Sequence, residues 1–494
     1  MTAANTDFGR HTGDNDRQAT TISVLPDNVL LEIFCFYHEE DVNVDLDDPV
    51  WKWHLLVHVC QSWRRIVFAS PHRLDLRIRC TIKTPVRKYL GIWPALPIAI
   101  DCTHYPIRWH GDHASKEENI LTAIEHVDRV CVVRISVTAS ELEKISTVMQ
   151  EPFPVLMDLR IVLEEDGNAA VLPANFLGGS APRLQDIYLR GIPFPALPTL
   201  LLSTSGLVTL DIENIPPTGY ISPEAIVAGL STLPMLKLFI CGFLSASPRP
   251  DRIHPPPITR TVLPALTYFE FKGASEYLED LAARIDAPQL SRFNIYYYNQ
   301  LVDFQVAHLS KFIDRSVGPK LTQFRFAQVT FDSSTVSFNT YSHANDPRPA
   351  PPSATTTILR KGVDWQVSHM AQVLSQFSAI FSNVVHLKLI AEDPDDPELE
   401  GTDVEWVHLL HPFSAVQTLH LSRILAGPVA LALEAIPEEM VAEELPSLDF
   451  IHLQGQPASA VDKFVAARRS SDHPVAALDT EREFVERVES YVSK

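Results

Sequence analysis

Residues 264–271 read PALTYFEF and residues 288–295 read PQLSRFNI, and the two segments match position for position. Each has a Pro two residues before a first apolar position (Leu266, Leu290) and then a closing apolar pair (Phe269 and Phe271; Phe293 and Ile295). The residue inside each closing pair is polar, which is the alternation of a short strand with one buried face. A Pro at the entry costs little, because a strand start can do without its N–H. The same template recurs upstream in VDRVCVVRI (Val130, Val133, Ile135), PVLMDLRI (Leu156, Leu159, Ile161), PRLQDIYL (Leu184, Ile187, Leu189), SGLVTLDI (Leu207, Leu210, Ile212) and PMLKLFIC (Leu236, Phe239, Cys241). Downstream it returns in PKLTQFRF (Leu321, Phe324, Phe326), NVVHLKL (Val384, Leu387, Leu389), AVQTLHL (Val416, Leu419, Leu421) and PSLDFIHL (Leu448, Ile451, Leu453).

First positions of neighbouring units lie 23 to 32 residues apart, except for 63 between Leu321 and Val384. That period resembles the leucine-rich repeat, in which stacked units share one core that no unit could build alone. Segments such as SPEAIVAGLSTL, SEYLEDLAARI and LVDFQVAHLSKFI carry an apolar stripe at helical spacing and would cover the strand layer. The expected fold class is α/β, a curved solenoid over residues 73–475 with parallel strands on the concave side and helices outside. RLDLRIR (Leu74, Leu76, Ile78) and LPIAI (Leu96, Ile98, Ile100) alternate too, so the array should begin without a flexible linker. The long gap contains a Pro/Ser/Thr-rich stretch, expected as a loop near 341–357, flanked by TVSFNTYS and DWQVSHMAQVLSQFSAIF as strand and helix of a twelfth unit. EDPDDPELEGTD reads as an acidic surface loop after Leu389. Residues 476–494 are expected to form a C-terminal capping helix through Phe484, Val485, Val488 and Val492.

A chain of 494 residues is too long for one ordinary core, and 46% hydrophobic with 21% charged residues is a folded composition. A net charge of −20 repels a phosphate backbone, so nucleic acid is not an expected partner. Between Arg64 and Lys88 eight basic residues face only Asp75, which reads as a solvated face. Six cysteines without a C-x-x-C pair fit a reducing compartment. No apolar run is long enough to span a bilayer and no signal peptide is recognisable, so no membrane is expected and the localisation is read as cytoplasmic or nuclear.

Residues 1–20 are polar and expected to be disordered. Next, LPDNVLLEIFCFY sets Val29, Leu30, Ile33, Phe34 and Tyr37 on one helical face, with Asp27 placed to cap it. The acidic stretch EEDVNVDLDDP reads as a loop, and VWKWHLLVHVCQSWRRIVF as one helix with Trp53, Leu56, Val57, Cys60, Trp63 and Val67 in a stripe. Arg64 and Arg65 fall near its C-terminal end. Such short helices cannot bury all their apolar surface alone, so a partner is implied. The LP, V-L-x-x-I-F and V-C-x-x-W-R-R-I elements are similar to the F-box consensus of fungal F-box-like leucine-rich-repeat proteins, with Asn28 where the family usually has Glu. The resemblance covers residues 21–72. It implies docking onto a Skp-type adaptor and, through it, a cullin, by Leu25, Pro26, Leu30, Ile33, Phe34, Val59 and Trp63.

No nucleotide-binding, hydrolase or metalloprotease motif is present. His54 with His58, and His408 with His411, have metal-compatible helical spacing but no third ligand. Cys35, Cys60, Cys131 and Cys241 lie on apolar faces or strands, where thiols are inert. No catalytic residue, metal or cofactor is therefore expected. The function so implied is that of a substrate-receptor subunit of a Skp-cullin-F-box ubiquitin ligase. It would hold an unidentified protein substrate on outward strand positions such as Tyr268, Glu270, Arg292, Asn294, Gln323 and Arg325. The alternative is a non-enzymatic repeat scaffold whose F-box-like segment only caps the solenoid or acts outside a ligase.

Overall fold

The computed structural model describes residues 22, 25–39, 52–71, 73–81, 86–93, 95–103, 113–164, 170–246, 259–298, 306–316, 325–341, 354–359, 366–377, 381, 383–392, 401–441, 443–471 and 473–479. Two compact units emerge, one of residues 1–78 with 89–97 and one of residues 79–88 with 98–494. Residues 1–20, most of the acidic stretch after Glu39 and the acidic insertion after Glu392 lie outside the described residues.

Among the described residues the smaller unit includes the helices α1 (Asp27–Glu39), α2 (Lys52–Val59) and α3 (Gln61–Ala69). The stretch expected as one helix breaks at Cys60, whose backbone is extended (φ −160°, ψ 171°) and whose Sγ accepts a hydrogen bond from Trp63 N at 3.5 Å. The thiol thus caps α3. Arg64 sits in the first half of α3 and donates its Nε to Val57 O at 2.9 Å, so the cation serves the C-terminus of α2 instead. Leu30, Leu31, Phe34, Trp53, Leu56, Val57, Ile66 and Val67 are buried and make the core, while Val29, Ile33 and Tyr37 are exposed. The inward stripe of α1 is therefore rotated from the expected one. Asp27 is the first helical residue, with Pro26 O accepting from Val29 N and Leu30 N, and its carboxylate reaches Arg65 at 3.2 Å. Trp93 joins this unit by its edge contact with Trp53, 5.3 Å between ring centres. Leu74 and Leu76 are buried in a turn and its exit, and strand structure starts only at Ile78.

The strands are β1 (Ile78–Cys80), β2 (Ile98–Cys102), β3 (Val130–Val137), β4 (Asp158–Leu163), β5 (Asp186–Arg190), β6 (Thr209–Ile215), β7 (Leu238–Phe243), β8 (Thr261–Val262), β9 (Tyr268–Gly273), β10 (Ile285–Asp286), β11 (Arg292–Tyr298), β12 (Phe326–Asp332), β13 (Thr335–Tyr341), β14 (Ala354–Leu359), β15 (His386–Ala391), β16 (Thr418–Leu421), β17 (Phe450–Leu453) and β18 (Ala476–Asp479). Sixteen of them form one sheet in the order β1-β2-β3-β4-β5-β6-β7-β9-β11-β14-β13-β12-β15-β16-β17-β18, and β8 pairs with β10 apart from it. Ten of these strands fall in ten of the eleven sequence units, and β12 meets the remaining unit, residues 319–326, only at Phe326. Helices lie over the apolar face: Tyr277 stacks on Phe271 (5.6 Å, 15°), Phe312 meets Phe269 and Trp406 meets Phe331. The chain is thus a mixed α/β protein with a long, parallel-rich sheet of leucine-rich-repeat-like kind.

Three expectations need correction. First, β13 is antiparallel to both β12 and β14. Only Ser333 and Ser334 connect β12 to β13, and two residues can close a hairpin but not the crossover that a parallel pair requires. Second, the loop expected near 341–357 is bounded by strand residues, with Tyr341 closing β13 and Ala354 to Thr357 opening β14, which enters between β11 and β13. Third, residues 476–479 are a strand parallel to β17, so the C-terminal helix does not start there; its remaining residues lie outside the described ones.

Candidate functional site

Register fixes what the outer face of the sheet presents. The residue inside each closing pair lands beside its counterpart on the next strand: Arg134 beside Arg160, Tyr188 beside Asp211, Glu270 beside Asn294. Adjacent strands are about 4.8 Å apart, so this is a continuous row of side chains opposite the apolar core.

At the centre of the row the side chains bond to one another. Tyr268 Oη donates to Glu270 Oε2 at 2.5 Å, and Asn294 Nδ2 donates to both Tyr268 Oη (2.7 Å) and Glu270 Oε2 (3.1 Å). The Arg292 guanidinium lies 6.0 Å above the Tyr268 ring. Burial, reinforced by the Glu270 carboxylate, pushes the Tyr268 phenol well up. Four of the sequence-derived candidates, Tyr268, Glu270, Arg292 and Asn294, thus form one half-buried cluster.

The other two do not join it. Gln323 lies outside the described residues, and Arg325 is exposed and precedes β12. Gln328, between the buried Ala327 and Val329, is the residue that pairs by register with Lys388. Both frames satisfy the apolar template, and Phe326 takes an outward position, stacked on His386 at 4.6 Å.

Pattern matching missed Tyr188 and Asp211, although both occupy the same in-between position of their units. Tyr188 Oη donates to Glu213 Oε2 at 3.2 Å, and Arg160 sits 4.3 Å over its ring. Burial, followed by the neighbouring Glu213 and Glu270 carboxylates, raises Asp211 to about 7, with Arg160 acting against them. Tyr298 donates to Phe243 O at 2.6 Å, and burial raises its phenol to about 12. A face built of aromatic rings, forked cations and carboxylates suits reversible binding of a protein surface.

In the helical unit the seven adaptor candidates divide. Leu30 and Phe34 are core, Phe34 packing on the half-buried Trp63 at 4.7 Å between rings. A residue 1% exposed cannot anchor a partner, so Phe34 supports the surface rather than forming it. Leu25, Pro26, Ile33 and Val59 are exposed, together with Phe36 and Leu55.

Between the helices at 366–376 and 403–410 is a cleft of about 800 Å³ lined by Glu405, His408 and His411 with Ser368 and Gln372. His411 Nδ1 lies 3.1 Å from Glu444, and Glu405 accepts from Thr402 N as part of a helix cap. His54 and His58 approach at 3.1 Å. Among the described residues no group of three or more His, Cys, Asp or Glu converges as a metal site. No helix among them is long and apolar enough to cross a membrane. Cys60 is exposed rather than on a buried stripe, and Cys80, Cys102, Cys131 and Cys241 are buried.

No family model and no curated protein matches the chain. Among solved structures it is similar to the leucine-rich repeat-containing protein LegL7 from Legionella pneumophila, at 13% identity and a TM-score of 0.24, over 79% of this chain and 97% of that one.

Proposed function

We propose that the chain is a substrate receptor: the helical unit docks a Skp-type adaptor of a cullin-based ubiquitin ligase, and the outer face of the sheet holds a protein substrate. The observation that carries the first half is the division of apolar residues in the small unit. Its core is made by Leu30, Leu31, Phe34, Trp53, Leu56, Val57, Ile66 and Val67, yet Ile33 (42%), Phe36 (68%) and Val59 (58%) stay exposed. Val29, Ile33 and Phe36 share one face of α1, and Leu55 and Val59 share one face of α2. Water-facing residues of this size in a small unit favour a partner surface. The repeat scaffold supports the second half through the cluster around Tyr268 and Glu270.

Affinity purification of the tagged chain, with the proteasome inhibited, tests the reading. Adaptor and cullin are expected in the eluate of the unaltered chain and absent from that of Leu25→Ala with Ile33→Asp and Val59→Asp. Co-purification unchanged in that triple variant rejects the docking face.

A further inference from the structure

At the centre of the outer face a slot runs over β7. By register Ile240 on β7 stands between Asp211 on β6 and Glu270 on β9. Ile240 is half-buried, and two residues on β7 carries Gly242, where an added Cβ would sit between Glu213 Cα (3.7 Å) and Lys272 Cβ (3.5 Å). The flanking strands are roughly 10 Å apart, so Asp211, Glu213 and Glu270 border an apolar floor one side chain wide. Tyr188 donates to Glu213 and Tyr268 to Glu270, which fixes two of the three carboxylates at the edge of the slot. The cations of the neighbouring strands rest mostly on rings: Arg160 lies 4.3 Å over Tyr188, Lys272 5.7 Å over Tyr298 and Arg292 6.0 Å over Tyr268, while Arg190 approaches Glu213 at 3.9 Å. Asp211 forms no ion pair among the described residues, and its Oδ1 is shielded from water without a donor.

We infer that this slot receives a basic side chain of the substrate protein, an arginine or lysine, with its alkyl stem on Ile240 and its cationic head among Asp211, Glu213 and Glu270. The inference rests on the outer face being the substrate-binding surface, and it names the chemistry of the bound segment. Charge complementarity selects the occupant. A half-buried carboxylate without a cation costs stability, and a long aliphatic cation brings both the missing charge and an apolar stem for the floor. Carboxylates already held by the two phenols lose little freedom when the cation arrives. The acids Glu213, Glu270 and Asp186 and the cations Arg160, Arg190 and Lys272 face Asp211 from β4, β5, β6 and β9, with the phenols of Tyr188 and Tyr268; β7 contributes no charge. A bound cation favours the ionised carboxylate, so association releases a proton from Asp211 and strengthens as pH rises through about 7.

The test is isothermal titration calorimetry on the full chain, in about 150 mM salt to screen unspecific attraction, with a capped Gly-Arg-Leu-Arg-Gly peptide and its Gln and Glu counterparts. Only the Arg peptide is expected to bind. Its affinity should be about tenfold higher at pH 8 than at pH 6, because the ionised share of Asp211 rises from about a tenth to about nine-tenths. Asp211→Asn should lose roughly tenfold at pH 8 together with the pH dependence, and Glu151→Gln, at an exposed position outside the sheet, should change nothing. Ile240→Lys supplies the cation from within the chain, so it should abolish binding and keep the Asp211 carboxyl resonance in its ionised position at pH 6. The near-isosteric Asp211→Asn answers the question even where Ile240→Lys unfolds. No binding of the Arg peptide, equal binding of the Gln or Glu peptide, a flat pH profile in the unaltered chain, or an equal loss in Glu151→Gln overturns the inference. Adaptor and cullin retained by a chain that fails these measurements leave the receptor reading standing without the basic segment; loss of both rejects the receptor reading itself.

Discussion

Tyr268 and Glu270, two residues apart on β9, point to the same side and close a hydrogen bond of 2.5 Å across the outer face. The bond leaves the Glu270 charge where it acts on Asp211 two strands away, and Asp211 titrates near 7 because burial, Glu213 and Glu270 together outweigh Arg160. The sign follows. A carboxylate raised above its unfolded value of about 3.9 favours the folded state below that value, and the advantage is lost as pH rises through 7. Asp211→Asn is expected to be nearly neutral at pH 4 and stabilising by on the order of 1 kcal/mol at pH 8, a figure discounted for partial solvent screening. Chemical denaturation at the two pH values checks it, and a variant equally stable relative to the parent at both refutes it.

In the helical unit, core and docking roles separate by exposure. Phe34→Ala removes a buried ring packed on Trp63 and should cost about 3–5 kcal/mol in that unit. Ile33→Ala should change stability by less than about 1 kcal/mol while weakening adaptor binding. Thermal melts paired with adaptor pull-downs distinguish the two. Equal stability loss in both variants would contradict the rotated stripe of α1.

Much of this was legible in the sequence because repetition multiplies a weak signal. One L-x-x-L-x-L match is ambiguous, but its recurrence along the chain marks strands, inward residues and outward residues together in ten of the eleven units. Legibility failed where two answers share one pattern. PKLTQFRF and FRFAQV both fit the template, and only pairing with β15 shows that Gln328, not Arg325, stands opposite Lys388. In the helical unit the apolar residues nearly encircle α1, so periodicity could not separate the core face of Leu31 and Phe34 from the exposed face of Ile33 and Phe36. The break at Cys60 depends on a thiol cap and on Arg64 bonding to Val57 O, neither of which carries a propensity signal.

The cysteines give a direct chemical check of that break. Brief iodoacetamide treatment of the native chain should label Cys60, which is exposed, and spare Cys80, Cys102, Cys131 and Cys241 until denaturant is added. Burial that raises Cys241 to about 12 removes its thiolate as well as its access. Peptide mass spectrometry reads the pattern, and protection of Cys60 in the native chain would restore the unbroken helix.

The C-terminal end of the sheet depends on one buried cation. Arg468, on the helix at 462–470, is 0% exposed and donates to the carbonyls of Val441, Leu445, Pro446 and Leu448. These carbonyls belong to the turn in which Leu445 holds φ at 49°, a left-handed conformation that costs a branched residue roughly 1 kcal/mol or more. A planar guanidinium can fork to several acceptors, whereas a Lys ammonium cannot reproduce that geometry. Arg468→Lys should therefore behave like Arg468→Ala, each destabilising the end repeats by on the order of 3–5 kcal/mol through unpaired buried carbonyls. Because repeats respond mainly to their neighbours, the loss should stay local. Hydrogen exchange is expected to accelerate across β17 and β18 and to remain unchanged in β3 to β6; uniform acceleration along the sheet, or full rescue by Lys, would disprove the role assigned to the fork.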